Sequence, residues 1–176
     1  MMENYIGNAY QPELWRDLYV MLGTSATAFI GLLFIVISLH LDEIVNNPVF
    51  RTRAHNNTIH LLTLVLESVL ILIPQSILIL GAELVAINLF GLRLPVSVIY
   101  KYYFRNKEIG NRGGFSIYRG ITNMVGYLFG IVGGALLIEQ SNWGMYLVAA
   151  SFVIFLVCVV LNAWYMMLGI GQAENK

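Results

Sequence analysis

Long apolar runs separated by short polar ones divide the chain. The first run, Leu18 to Leu39, reads LYVMLGTSATAFIGLLFIVISL. A helix needs about 20 mostly apolar residues to cross the hydrocarbon core of a bilayer, so this run is one span. The polar stretch HLDEIVNNPVFRTRAHNN follows, with a turn signal at Asn46-Asn47-Pro48. The next apolar stretch, from about Ile59 to Tyr100, is long enough for two spans. Proline disfavours helical backbone in the residue before it, which puts the break at Pro74-Gln75-Ser76. Gly81 is the alternative break and leaves the same parity. The second and third spans are then 55–73 and 77–99. KYYFRNKEIGNRGGFSIYRG forms a polar loop over 100–120, a fourth span covers 121–138, and a turn at Glu139-Gln140-Ser141-Asn142 leads into a fifth at 145–168. The pattern predicts an all-α integral membrane protein, a five-transmembrane-helix bundle forming a single membrane domain over 1–176 with no extramembrane domain.

Composition narrows the function classes. Hydrophobic residues make up 58% of the chain and charged residues 11%, against roughly 25% charged in a soluble domain. Ten Lys+Arg balance ten Asp+Glu, so there is no global basic field and no nucleic-acid partner is expected. The single cysteine, Cys158, lies in an apolar run and allows neither an intrachain disulfide nor a cysteine metal site. HExxH, CxxC and nucleophile-elbow motifs are missing, and His55 and His60 are five residues apart, off the four-residue spacing of a helical metal pair. The expectation is a protein that is not an enzyme, with no catalytic, cofactor-binding or metal-ligating residues and no cofactor.

Charge placement orients the spans. The amino-terminal segment and the 74–76 and 139–143 turns carry only Arg16, whereas Arg51, Arg53, Lys101, Arg105, Lys107, Arg112, Arg119 and Lys176 fall on the other side. The positive-inside rule makes that basic side cytoplasmic, so the N-terminus is outside and the C-terminus inside. The amino-terminal segment lacks the basic region of a signal peptide, and PELWRDL reads as a short interfacial helix before a retained first span. Tyr10, Trp15, Tyr19, Trp143 and Tyr146 fit an outer aromatic belt; Tyr100, Tyr102, Tyr103, Tyr118, Trp164 and Tyr165 fit an inner one. Arg93, inside the third span, is placed to snorkel to the cytoplasmic interface. The basic loop Lys101–Arg119 is a possible contact for anionic lipid or a partner protein. The WRDLYVMLG start and SLHLDEI end of the first span resemble small multi-pass proteins of bacterial membranes, which implies a bacterial cytoplasmic membrane.

Helices in lipid associate through close packing and polar contacts. Gly126, Gly130 and Gly134 recur at four-residue spacing on the fourth span, and Gly23, Thr27 and Gly31 on the first. These two faces are the expected sites of tightest packing, within one chain or between copies. Ionisable residues inside spans are costly and are candidate functional groups. Glu67 lies six residues before Ile73 and Glu83 six residues after Ile77, so a hairpin at 74–76 puts them at equal depth. Asn56, His60, Thr63 and Glu67 are separated by four, three and four residues, which places them on one helical face. Ser151, Cys158, Asn162 and Tyr165 form a weaker second stripe, and Asn88, Asn123 and Asn162 are amides within spans. The function expected from these features is an oligomeric channel or carrier for a cation or proton, with Glu67, Glu83, His60 and Thr63 as its pathway. Five helices enclose a poor pore alone, so a homo-oligomer is expected. The alternative is a non-transporting scaffold or regulator of a partner complex, in which the same polar residues tie helices together.

Overall fold

The computed structural model describes residues 12–105, 113–141 and 143–174. Among them every regular element is an α-helix: α1 (Pro12–Leu39), α2 (Leu41–Asn46), α3 (Pro48–Leu72), α4 (Ile77–Gly91), α5 (Arg93–Arg105), α6 (Gly113–Ile138) and α7 (Gly144–Glu174). Among the described residues four stretches are long and apolar enough to cross a membrane: Leu14–Leu39, Ile77–Tyr100, Gly120–Ile138 and Gly144–Trp164. This is a multi-pass helical membrane protein. The helix α3 stands apart from those four, because its first half carries Arg51, Arg53, Asn56, Asn57 and His60.

Local chemistry sets the helix ends. Proline suits the first turn of a helix, where its missing N–H costs nothing. Pro48 accordingly opens α3 after an extended Asn47, seven residues before the expected start at 55. The α3 helix stops before Pro74, and Ser76 caps α4 by accepting from the Ile79 amide at 3.3 Å. The break therefore falls at 74–76 and not at Gly81, which lies within α4 against Gly134. The Pro95 nitrogen cannot donate to the Gly91 carbonyl, and the third apolar stretch breaks at Leu92 between α4 and α5.

The polar loop expected over 100–120 is helical at both ends, since α5 runs to Arg105 and α6 starts at Gly113; residues 106–112 lie outside the described residues. In α5, Lys101 and Arg105 are good helix formers and continue the helix past its apolar segment. Packing is pairwise and layered. The α6 helix lies between α4 and α7, α1 lies along α3, and α3 reaches α7. The glycines of α6 serve two neighbours. A Cβ on Gly134 would meet the Gly81 carbonyl at 2.9 Å, and one on Gly133 would meet Val148 at 2.8 Å. Gly126 lies under the Phe155 ring, and the Ser151 hydroxyl donates to its carbonyl at 2.8 Å.

The small residues of α1 behave differently. Gly23 packs on Ser68 of α3, but a Cβ on Gly31 would meet nothing within 4 Å. Thr27 is exposed, its hydroxyl bonded back to the Gly23 carbonyl at 2.9 Å. Of the two expected faces, that of α6 is fully used within the chain and that of α1 only at Gly23.

Candidate functional site

The polar residues of the bundle collect on the facing sides of α3, α4, α6 and α7. Glu67 is 1% exposed, on the face of α3 turned to α4. The Asn88 side chain reaches across and donates from Nδ2 to Glu67 Oε1 at 2.7 Å. The same nitrogen donates to the Leu84 carbonyl one turn earlier on α4, at 2.9 Å. Both amide hydrogens thus meet acceptors, and this fixes which way the amide faces. Asn88 Oδ1 is buried without a hydrogen-bond partner and lies against the backbone of Gly130, where only glycine leaves room. The second GxxxG glycine of α6 therefore exists to admit an amide that holds a carboxyl group.

Glu83 stands in other surroundings. It is half-buried, and its Oε2 accepts from Gln75 Nε2 at 2.9 Å; Gln75 also donates to the Leu70 carbonyl at 3.0 Å. The carboxylates placed at one depth by residue counting take separate amide partners. Glu67 pairs with Asn88, five residues beyond Glu83 along α4, and Glu83 turns back to the 74–76 connection.

His60 is 2% exposed and lies between α6 and α7. Its Nδ1 is 2.8 Å from the Tyr127 hydroxyl and its Nε2 is 3.1 Å from Asn123 Nδ2. Phe155 stacks on the ring at 5.5 Å between centroids, with an interplanar angle of 20°. Thr63 donates to the Ile59 carbonyl at 2.9 Å. Tyr127 is wedged where α4 breaks, its ring filling the space that a Gly91 side chain would take. Towards the Asn47 end of α3, Asn162 of α7 donates to Asn57 Oδ1 at 3.2 Å. The hydrogen-bonded side chains form three groups along α3: Asn57–Asn162, Asn123–His60–Tyr127 and Glu67–Asn88.

Several of these residues had weak signals in the sequence. Asn57, not the half-buried Asn56, is the inward amide of α3, because α3 turns position 57 towards α7. Tyr127 sits in an apolar run beside Gly126 and reads as core; its four-residue spacing from Asn123 was the available clue. Tyr19 is fully buried, donating to the Met145 carbonyl at 3.3 Å, so it is not a belt residue. Trp15 and Tyr146 pack edge to face at 4.9 Å. Arg93 is exposed and lies 5.0 Å above the Phe90 ring. In the α7 stripe, Ser151 and Asn162 are buried and Cys158 is half-buried; Tyr165 is outside the described side chains, as are Tyr102, Tyr103 and most of the basic loop. Tyr10 lies outside the described residues. Among the described residues, no group of three or more His, Cys, Asp or Glu gathers as a metal site would require. No family model, curated protein or solved structure matches the chain.

Proposed function

We propose that this protein moves a proton or a cation across a membrane, with Glu67 and His60 as the ionisable elements of the path. The observation that carries the reading is the burial of a carboxyl and an imidazole on one helix of the bundle, the first held by Asn88 and the second by Tyr127 and Asn123. Ionisable groups are expensive at membrane depth, and a hydrogen-bonded seam has no need of two. The reading takes α3 as a fifth span. Its 25 residues are long enough, and its polar side chains Asn57, His60 and Glu67 face neighbouring helices. With five spans, the excess of Lys and Arg on the 40–55 and 100–120 segments puts that side in the cytoplasm and the N-terminus outside. The membrane in this reading is the bacterial cytoplasmic one.

Because His60, Tyr127, Thr63 and Glu67 belong to one chain, the path itself does not depend on assembly into a homo-oligomer. Glu83, half-buried beside the 74–76 turn, belongs to the outer mouth of the path.

The scaffold reading treats the same bonds as links between helices, and the Asn162–Asn57 and Asn88–Glu67 pairs favour it as far as they go. Glu67→Gln separates the two. Glutamine keeps an oxygen for Asn88 to donate to, so a link survives, but it cannot take up or release a proton. Ion flux into proteoliposomes that is present in the wild type and lost in Glu67→Gln supports the path. Wild-type protein with no flux above empty vesicles supports the scaffold.

A further inference from the structure

We propose that Arg93 and the outward face of α5 bind the headgroup of an anionic phospholipid. This goes beyond the transport reading and does not depend on it. The argument starts from where α5 packs. Pro95 is buried, and Ile99 lies against Gly120 of α6, where an added Cβ would meet it at 3.0 Å. That side of α5 belongs to the bundle. Arg93, Val96, Ser97 and Tyr100 are exposed and occupy the other side. An ionisable residue within a span usually faces the bundle interior and pairs there. Arg93 lies within the apolar stretch Ile77–Tyr100 and does the reverse. The contact its guanidinium makes among the described residues is with the Phe90 ring, 5.0 Å from the centroid. Phe90 is itself 68% exposed, so ring and cation stand together on the surface that lipid covers.

Depth decides what can reach this cation. Arg93 comes sixteen residues after Ile77, where α4 begins. At 1.5 Å per residue that is about 24 Å along the helix. The hydrocarbon core is about 30 Å thick, so the backbone of Arg93 is just short of its far boundary. Side chains on a helix lean towards its N-terminus, and the guanidinium accordingly turns back over Phe90, towards the bilayer centre. It does not extend outwards to water as a snorkelling arginine does. An aromatic face offsets only part of a guanidinium's charge, and the hydrocarbon around it offers no anion. Lipid phosphates lie at the adjoining boundary, and a guanidinium fork matches two phosphate oxygens at once.

The rest of the surface fits a lipid better than a protein carboxylate. Leu89 and Val96 flank the cation and are 52% and 46% exposed, an apolar surface on which acyl chains can lie. The helix reads RLPVSVIYKYYFR, with Lys101 and Arg105 following Arg93 and no acidic residue to repel a phosphate. Ser97, one turn beyond Arg93, donates its hydroxyl hydrogen to the Leu94 carbonyl at 2.8 Å. Towards the lipid it therefore offers an oxygen, which suits a headgroup carrying its own hydroxyl, such as glycerol.

The test uses full-length protein in a non-ionic detergent. Binding of phosphatidylglycerol and of phosphatidylcholine with the same acyl chains is titrated by native mass spectrometry. The variants are Arg93→Gln, Arg93→Lys and, as a control, Arg16→Gln, whose residue is exposed near the start of α1. The wild type is expected to prefer phosphatidylglycerol. Arg93→Gln should weaken that lipid about fivefold and leave phosphatidylcholine unchanged. Arg93→Lys, which keeps the charge and loses the fork, should fall between the two, and Arg16→Gln should match the wild type. Equal phosphatidylglycerol binding in the wild type and Arg93→Gln overturns the site. Loss of the preference on adding inorganic phosphate at the lipid's own concentration shows a simple anion site and overturns the lipid assignment. An oligomer that Arg93→Gln takes apart, with lipid preference unchanged, places Arg93 between copies of the chain and overturns it as well.

Discussion

The carboxyl groups of Glu67, at the centre of the bundle, and Glu83, near the 74–76 turn, differ in their amide partners. Glu67 receives its hydrogen bond from another helix, and the donor is itself pinned by Leu84 and backed by Gly130. Glu83 receives its bond from Gln75, in the connection that begins its own helical hairpin, and stays half-buried. A glutamine anchored in a turn can follow its carboxylate outward; an asparagine between α3 and α6 cannot. The central pair is therefore a constrained, buried unit, and the pair near the turn is an adjustable one. Identity and depth along the chain did not separate the two glutamates, but the rigidity of the partner does.

This difference can be broken deliberately. The largest effect is expected from Gly91→Ala. The added methyl group would overlap the Tyr127 ring, which is closed in by His60 and Phe155, so the central region must open. Overpacking of this kind costs about 3 kcal/mol, and thermal unfolding in detergent should show a correspondingly large drop in Tm. Next comes Asn88→Ala, which leaves a buried Glu67 oxygen without its donor and should cost about 2 kcal/mol. The equivalent change near the turn, Gln75→Ala, should cost less than about 1 kcal/mol, because Glu83 is open enough to be rehydrated. Equal losses for Asn88→Ala and Gln75→Ala, measured in one detergent series, would erase the distinction between the two sites. The smallest effect belongs to Gly31→Ala, which places its methyl group in open space and should stay within about 0.5 kcal/mol of the wild type.

Much of the helical order was legible in the sequence, because the physics that sets it is local. Apolar runs of bilayer length marked α1, α6 and α7, and Pro74 marked the break between α3 and α4; the short α2 and the division of 77–99 into α4 and α5 carried no such signal. The stripe at His60, Thr63 and Glu67 was legible because helical spacing alone puts those residues on one face. What remained hidden depends on other helices. Tyr127 and Tyr19 look like core or belt residues until α4 and α7 are beside them, and Asn88 looks like generic helix glue until Gly130 makes room for it. Counting residues from the turn assumed straight, parallel packing of α3 and α4, whereas α4 packs chiefly on α6. The same limit explains the α1 glycines. Their spacing matches that of α6, but close packing needs a neighbouring surface, and at Gly31 the described residues supply none.

The central claim is that the path depends on the carboxyl group of Glu67 and not on that of Glu83 at its outer mouth. Proton flux measured side by side for the wild type, Glu67→Gln and Glu83→Gln, in vesicles carrying equal amounts of folded protein, tests it most directly. The account predicts flux lost in Glu67→Gln and largely kept in Glu83→Gln. Flux kept in Glu67→Gln, or lost only in Glu83→Gln, would contradict it.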